Sequence, residues 1–213
     1  MRRKKILVIN PNSNETVTEG LRQSLRGFAD EADIECCTFP DGPFGIETDD
    51  DIELVKPLIV DRVEQAPEYD AYVIACYSDP AAEECRERFD KPIFGIQESA
   101  VETAARGGRR FGVLALSDES IRRHIRRIRA LGFSNQLAGE LPLDITVDEA
   151  ANDPDALERV IVQGRRLIEE EGAASLVLGC AGMAALRRSA EQALAVPVIE
   201  PAQAAVRLAI DAG

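Results

Sequence analysis

Two of the five cysteines, Cys76 and Cys180, stand where thiols can do acid–base chemistry. Each directly follows a short apolar run, VIA in one case and VLG in the other. Each also precedes helix-start signals: Ser78-Asp79-Pro80 after Cys76, and small Ala181 and Gly182 after Cys180. Parallel α/β sheets bind ligands beyond the carboxyl ends of their strands, which is where this spacing puts both side chains. A helix start carries partial positive charge and free N–H groups, so either thiol is expected to have a lowered pKa and to sit beside an anion site. Two acid–base groups on opposite faces of one carbon suit the inversion of a stereocentre. One removes the α-proton, the other delivers a proton to the far side, and no cofactor is required. The enolate formed in between needs its oxygen held, and backbone N–H groups at Ser78, Asp79, Ala181 and Gly182 are candidates for that task.

An isolated strand-end cysteine is more often a small packed hydrophobe. What separates this pair from Cys36, Cys37 and Cys85 is an internal repeat. RRKKILVINPNSNE echoes GRRFGVLALSDES, AYVIACYSDPAAEECRE echoes SLVLGCAGMAALRRS, and KPIFGIQESAVETA echoes VPVIEPAQAAVRLA, all at an offset of about 105 residues. Ile6 thus faces Phe111, Cys76 faces Cys180, and Pro92 faces Pro197. If two repeated lobes face each other, their thiols approach one cleft from opposite sides. The mirrored loops Asn10-Pro11-Asn12-Ser13 and Ala115-Leu116-Ser117 follow the first strand of each lobe and would point polar groups at the same cleft. Asn10, Asn12 and Ser117 are therefore candidate substrate contacts, although Asn12 with Glu15 also reads as a capping box and Ser117 as a simple cap.

The elements that must position these residues alternate in kind. Strands are expected at Lys5–Ile9, Ile34–Phe39, Ala71–Ala75, Pro92–Ile96, Phe111–Leu116, Ser175–Leu178 and Pro197–Ile199, with helices between them and a looser region over Gly132–Val147. Strand–helix alternation implies right-handed crossovers and mostly parallel sheets covered on both faces. The fold class is α/β, with two pseudo-symmetric lobes, each a mostly parallel sheet flanked by helices, around a cleft. Lobe 1 is expected to take residues 1–97 and a C-terminal part from about 200 to 213, and lobe 2 residues 98–199.

Composition excludes several functions. The 213 residues are 45% hydrophobic and 30% charged, ordinary globular usage with ample length for a core. The longest apolar runs fall far short of the roughly 18 residues of a membrane helix. The Met-Arg-Arg-Lys-Lys start lacks the apolar stretch of a secretory signal, so a cytoplasmic location is expected. A net charge of −13 repels phosphate backbones and argues against nucleic acid as a partner, despite the basic run Arg122–Arg129. The lone histidine, His124, lies in that run and reads as part of a solvated helix face, which argues against a Ser-His or Cys-His pair. No Cys or His spacing suggests a metal site, and free thiols are expected.

Several segments resemble the aspartate/glutamate/hydantoin racemase superfamily, within it the hydantoin and allantoin racemase branch. They are INPNSNETVTEGL at the start, GPFGIETDDD at Gly42–Asp51, ACYSDPA around Cys76, FGIQESA at Phe94–Ala100 and LGCAGMAAL around Cys180. The likeness spans nearly the whole chain. It implies cofactor-independent racemisation of a small molecule by a cysteine pair, here Cys76 and Cys180, between two α/β lobes, in a protein that is commonly a homo-oligomer. It also implies that Asn10 and Asn12 contact the substrate, that Ser78 and Asp79 shape its anion or imide pocket, and that Gly182 helps form the second half-pocket. Glu47 matches a family position as well. The sequence departs from the pattern at Tyr77, where phenylalanine is usual, and at Glu200-Pro201, where Asp-Gly is frequent.

Two neighbouring chemistries stay open. Aspartate or glutamate racemisation would require a site for a carboxylate and an ammonium, and maleate cis–trans isomerisation also uses two cysteines. Arylmalonate decarboxylation needs only one. A binding protein of another class, two lobes around a cleft without catalysis, would need no paired thiols.

Overall fold

The computed structural model describes residues 2–212. Two four-stranded parallel sheets have the same topology, β2-β1-β3-β4 and β6-β5-β7-β8. The first is built from β1 (Lys4–Asn10), β2 (Ala32–Thr38), β3 (Ala71–Ile74) and β4 (Ile93–Gly95). The second is built from β5 (Phe111–Ala115), β6 (Leu137–Pro142), β7 (Ser175–Leu178) and β8 (Val198–Ile199). The pairing carries the repeat into three dimensions: Ile6 pairs with Ala71 on β3, and its counterpart Phe111 pairs with Ser175 on β7. The central strands β3 and β7 are buried at every position, as expected where helices cover both faces of a parallel sheet.

The helices of the first sheet are α1 (Glu15–Ser24), α2 (Asp49–Glu64), α3 (Ala82–Arg88) and α4 (Ile96–Ala104). Those of the second are α5 (Asp118–Ala130), α6 (Val147–Asn152), α7 (Ala156–Glu169) and α8 (Arg187–Leu194), followed by α9 (Pro201–Asp211). After β8 the chain returns to the first sheet, because α9 packs on α4, β3 and β4. The looser region expected over Gly132–Val147 holds β6, an edge strand that is half-buried along its whole length. Helix α3 begins at Ala82 with Ala81 in the left-handed region as its cap, so the Ser78-Asp79-Pro80 start signal lies ahead of the helix.

Glu200 anchors α9. Its buried carboxyl accepts from the N–H groups of Ala202 at 2.9 Å and Gln203 at 2.8 Å. Burial pushes this carboxyl up to about 7, while those two N–H groups pull the other way. A folded-state pKa above the unfolded value of 4.5 means that the fold holds the proton more tightly, so stability falls as pH rises from there to about 7 and is level above it. Wild type is therefore expected to melt at a lower temperature at about pH 8 than at about pH 5. Glu200→Gln should flatten that difference, on the order of 3 kcal/mol for the shift. Thermal melts of both proteins across this range check it, and equal pH dependence in the two would refute it.

Candidate active site

One cavity lies between the carboxyl ends of the two sheets, and both Cys76 and Cys180 line it. Cys76 follows β3 and keeps part of its surface open, whereas Cys180 follows β7 and is 8% exposed. Cys180 caps the 3-10 turn Ala181–Leu186, its Sγ accepting from the Gly182 N–H at 3.3 Å. Gly179 carries the chain past β5 so closely that a Cβ there would stand 2.6 Å from the Leu114 carbonyl oxygen. The cavity measures about 40 Å³, room for roughly three water molecules.

The helix-start argument for lowered thiol pKa values does not hold in this geometry. Burial pushes Cys76 up to about 12, against the N–H of Ser78, and proximity to Cys180 adds to the rise. Burial likewise pushes Cys180 up to about 11, against the N–H groups of Gly182 and Met183, with the Glu47 charge adding to it. Desolvation of a thiolate outweighs one or two backbone donors.

Of the other sequence candidates, Asn12, Ser78, Ala181 and Gly182 line the cavity. Asn10, Asp79, Ser117 and Glu47 stand behind or beside it. Asn10 is fully buried, and its amide donates to Asn12 Oδ1 and Thr18 Oγ1, both at 2.9 Å. The Asn12–Glu15 capping box does not form: Asn14 is the cap of α1, accepting from the Thr16 N–H at 3.0 Å, while Asn12 Oδ1 receives the Asn14 N–H. Asn12 is thereby fixed at the cavity wall. Asp79 does not cap the helix that follows it. Its carboxyl accepts from Gln97 N–H at 2.8 Å and Glu98 N–H at 2.9 Å, the first turn of α4, and so ties the loop after Cys76 to the next crossover. Gly95 is required there, since a Cβ would meet the Asp79 carboxyl carbon at 2.2 Å. Ser117 is the cap of α5.

Glu47 belongs to a strap from the first lobe to the second. Its Oε1 accepts from the Val147 N–H at 2.9 Å, and its carbonyl accepts from Arg123 Nη2 at 2.8 Å. Ile46 of the same strap lines the cavity. The raised thiols and the strap together predict slow alkylation. Iodoacetamide is expected to label Cys76 and Cys180 slowly near neutral pH, and Glu47→Ala to speed labelling several-fold by freeing the strap. Rapid labelling of the wild type, followed by mass spectrometry, would contradict this.

Sequence reasoning missed His124 and Arg123. His124 is 2% exposed and lines the cavity instead of facing solvent. The signal was there: Ser120, His124 and Ile128, spaced four apart, are the buried stripe of α5.

Comparison with known proteins decides the family. Residues 6–209 match the family model described as Asp/Glu/Hydantoin racemase. The chain belongs to this family. The hydantoin racemase of Paenarthrobacter aurescens is 34% identical over 96% of this chain and 89% of its own length. Among solved structures, the allantoin racemase from Klebsiella pneumoniae superposes with a TM-score of 0.91 at 27% identity, covering 98% of this chain and 86% of that one. Allantoin racemase from Pseudomonas fluorescens gives 0.89 at 28% identity, covering 97% and 89%. The protein is an isomerase, a racemase of two parallel-sheet lobes. Among the described residues no helix is long and apolar enough to cross a membrane.

Proposed function

We propose that this racemase inverts C5 of a 5-substituted hydantoin or of allantoin by two-base proton transfer between Cys76 and Cys180. The observation that carries the reading is that matched strand ends of the two lobes deliver both thiols to one cavity; at about 40 Å³ that cavity is closed, and the lobes part at the Glu47 strap to admit a hydantoin ring. One cysteine, as thiolate, takes the C5 proton and becomes a thiol. The resulting enolate then takes a proton from the opposite thiol, which becomes the thiolate, so atoms and charge balance over each inversion. The Asn12 amide and the Ala181 backbone at the cavity wall are suited to hold the ring oxygens while charge builds on them, the Ser78 and Gly182 N–H groups being already given to the two thiols.

A hydantoin C5 lies between a carbonyl and a ring nitrogen, so its carbanion is delocalised and a modest pocket suffices. A zwitterionic amino acid would need a partner for its ammonium, and among the described residues no aspartate or glutamate lines the cavity. That favours the hydantoin over aspartate or glutamate. Expected absence of a cofactor and assembly as a homo-oligomer belong to the same reading, the latter testable by light scattering.

The mechanism fixes a pH dependence. Below the raised thiol values the thiolate fraction of the free enzyme grows about tenfold per pH unit, so kcat/KM is expected to climb between about pH 7 and 9. Circular dichroism of single hydantoin enantiomers across that range reads it. A flat or falling profile would speak against thiolate as the base.

A further inference from the structure

The α5 side of the cavity carries a buried polar pair that the two-thiol mechanism does not use. His124 Nδ1 lies 2.5 Å from Glu140 Oε1, and the Glu140 side chain is fully shielded from solvent. The second Glu140 oxygen and the Tyr77 hydroxyl have no hydrogen-bond partner. The Tyr77 ring meets His124 edge to face at 4.8 Å, so the imidazole is held between that ring and Glu140, while Gln97 Nε2 ties the His124 backbone carbonyl at 3.3 Å. Burying a carboxyl beneath an imidazole costs desolvation that an apolar pair of the same size would avoid. With Nδ1 engaged by Glu140, Nε2 is the nitrogen left for the cavity. Beside it, the Arg123 side chain is 9% exposed and its Nε has no partner.

We infer that His124, held by Glu140, is a specificity-determining residue of this racemase. Together with Arg123 it binds a polar group on the 5-substituent, so that the site favours a hydantoin carrying a ureido or carboxamide group over one carrying an alkyl group. The inference rests on the hydantoin reading above. A ureido group has both C=O and N–H, so it pairs with Nε2 whether that nitrogen bears a proton or a lone pair, and its carbonyl suits the guanidinium N–H. An alkyl group of equal size leaves both nitrogens desolvated and unpaired, which is the expensive kind of mismatch.

The test compares kcat/KM for racemisation of allantoin, which is 5-ureidohydantoin, with that of 5-isobutylhydantoin, its near-isostere, in wild type, His124→Phe and the double variant His124→Phe/Glu140→Leu. The double variant removes both buried partners, so no carboxyl is stranded if the single variant fails to fold. Wild type is expected to prefer the ureido substrate at least about tenfold, and the double variant to lose about tenfold or more of that ratio. A purely structural pair would lower both rates together and leave the ratio unchanged, which overturns the proposal, as does a wild-type preference for the isobutyl compound. If wild type racemises neither hydantoin, the substrate reading itself fails and takes this proposal with it. Activity on both with an unmoved ratio defeats the proposal alone.

Discussion

Cys76→Ser and Cys180→Ser are each expected to lower racemisation by about 10² to 10⁴-fold, the usual contribution of one positioned acid–base group. The two variants should differ in what survives. With one thiol gone, the other still faces one side of C5 and can take and return a proton there without inversion. Each variant is therefore expected to exchange the α-hydrogen of one enantiomer with solvent, and the two variants to act on opposite enantiomers. Proton NMR in D2O of each enantiomer with each variant reads this directly. Both variants exchanging the same enantiomer would contradict thiols on opposite faces, and full activity in either would remove that cysteine from the mechanism. Serine is nearly isosteric, so a fold defect is not expected at Cys180, whose Sγ accepts from Gly182 at 3.3 Å and whose replacement hydroxyl would accept likewise.

Gly179→Ala is the substitution with the next largest expected effect. The added Cβ would stand 2.6 Å from the Leu114 carbonyl oxygen and 3.3 Å from Ala115 Cα. Both are backbone atoms of β5, which is buried at every position, so neither side yields easily. The strand end must shift, and Cys180 is the next residue. Overpacking of this kind costs about 1 to 3 kcal/mol of stability. A displacement near 1 Å at a reacting group costs about 10²-fold in rate, so kcat/KM should fall by that order while substrate binding changes less. Paired melting and kinetic measurements check both numbers. A variant with wild-type kcat would show that the Gly179 contact does not position Cys180.

The sequence was most informative where the repeat and the sheet rules reinforce each other. VIA and VLG run into Cys76 and Cys180 at equivalent ends of β3 and β7, and the apolar runs of buried parallel strands are hard to mistake. β6 escaped because Leu137–Pro142 is an edge strand, half-buried throughout, in which glycine, glutamate and proline interrupt any apolar run. α6 was missed although Thr146 and Glu149 form a capping box at its start, since its six residues are too few for a periodic pattern to stand out. His124 was misjudged for another reason. The arginines around it suggest a solvated face, yet α5 turns Ser120, His124 and Ile128 inward, and Glu140, from the overlooked strand, supplies the partner that makes burial of the imidazole tolerable. The raised thiol values were also beyond sequence reasoning. A helix start can be read from residue types, but the desolvation that outweighs it depends on how closely the lobes and the Glu47 strap shut the cavity.

Inversion of a hydantoin carbon by proton exchange leaves a solvent label at C5, which the wild-type protein in D2O would reveal. Single enantiomers of allantoin, a 5-alkylhydantoin, aspartate and glutamate are followed by circular dichroism and mass spectrometry. The optical signal of at least one of the two hydantoins is expected to decay with incorporation of one deuterium at C5, while aspartate and glutamate keep theirs. Decay of aspartate or glutamate with both hydantoins unchanged would contradict it, and so would racemisation of a hydantoin that leaves C5 unlabelled.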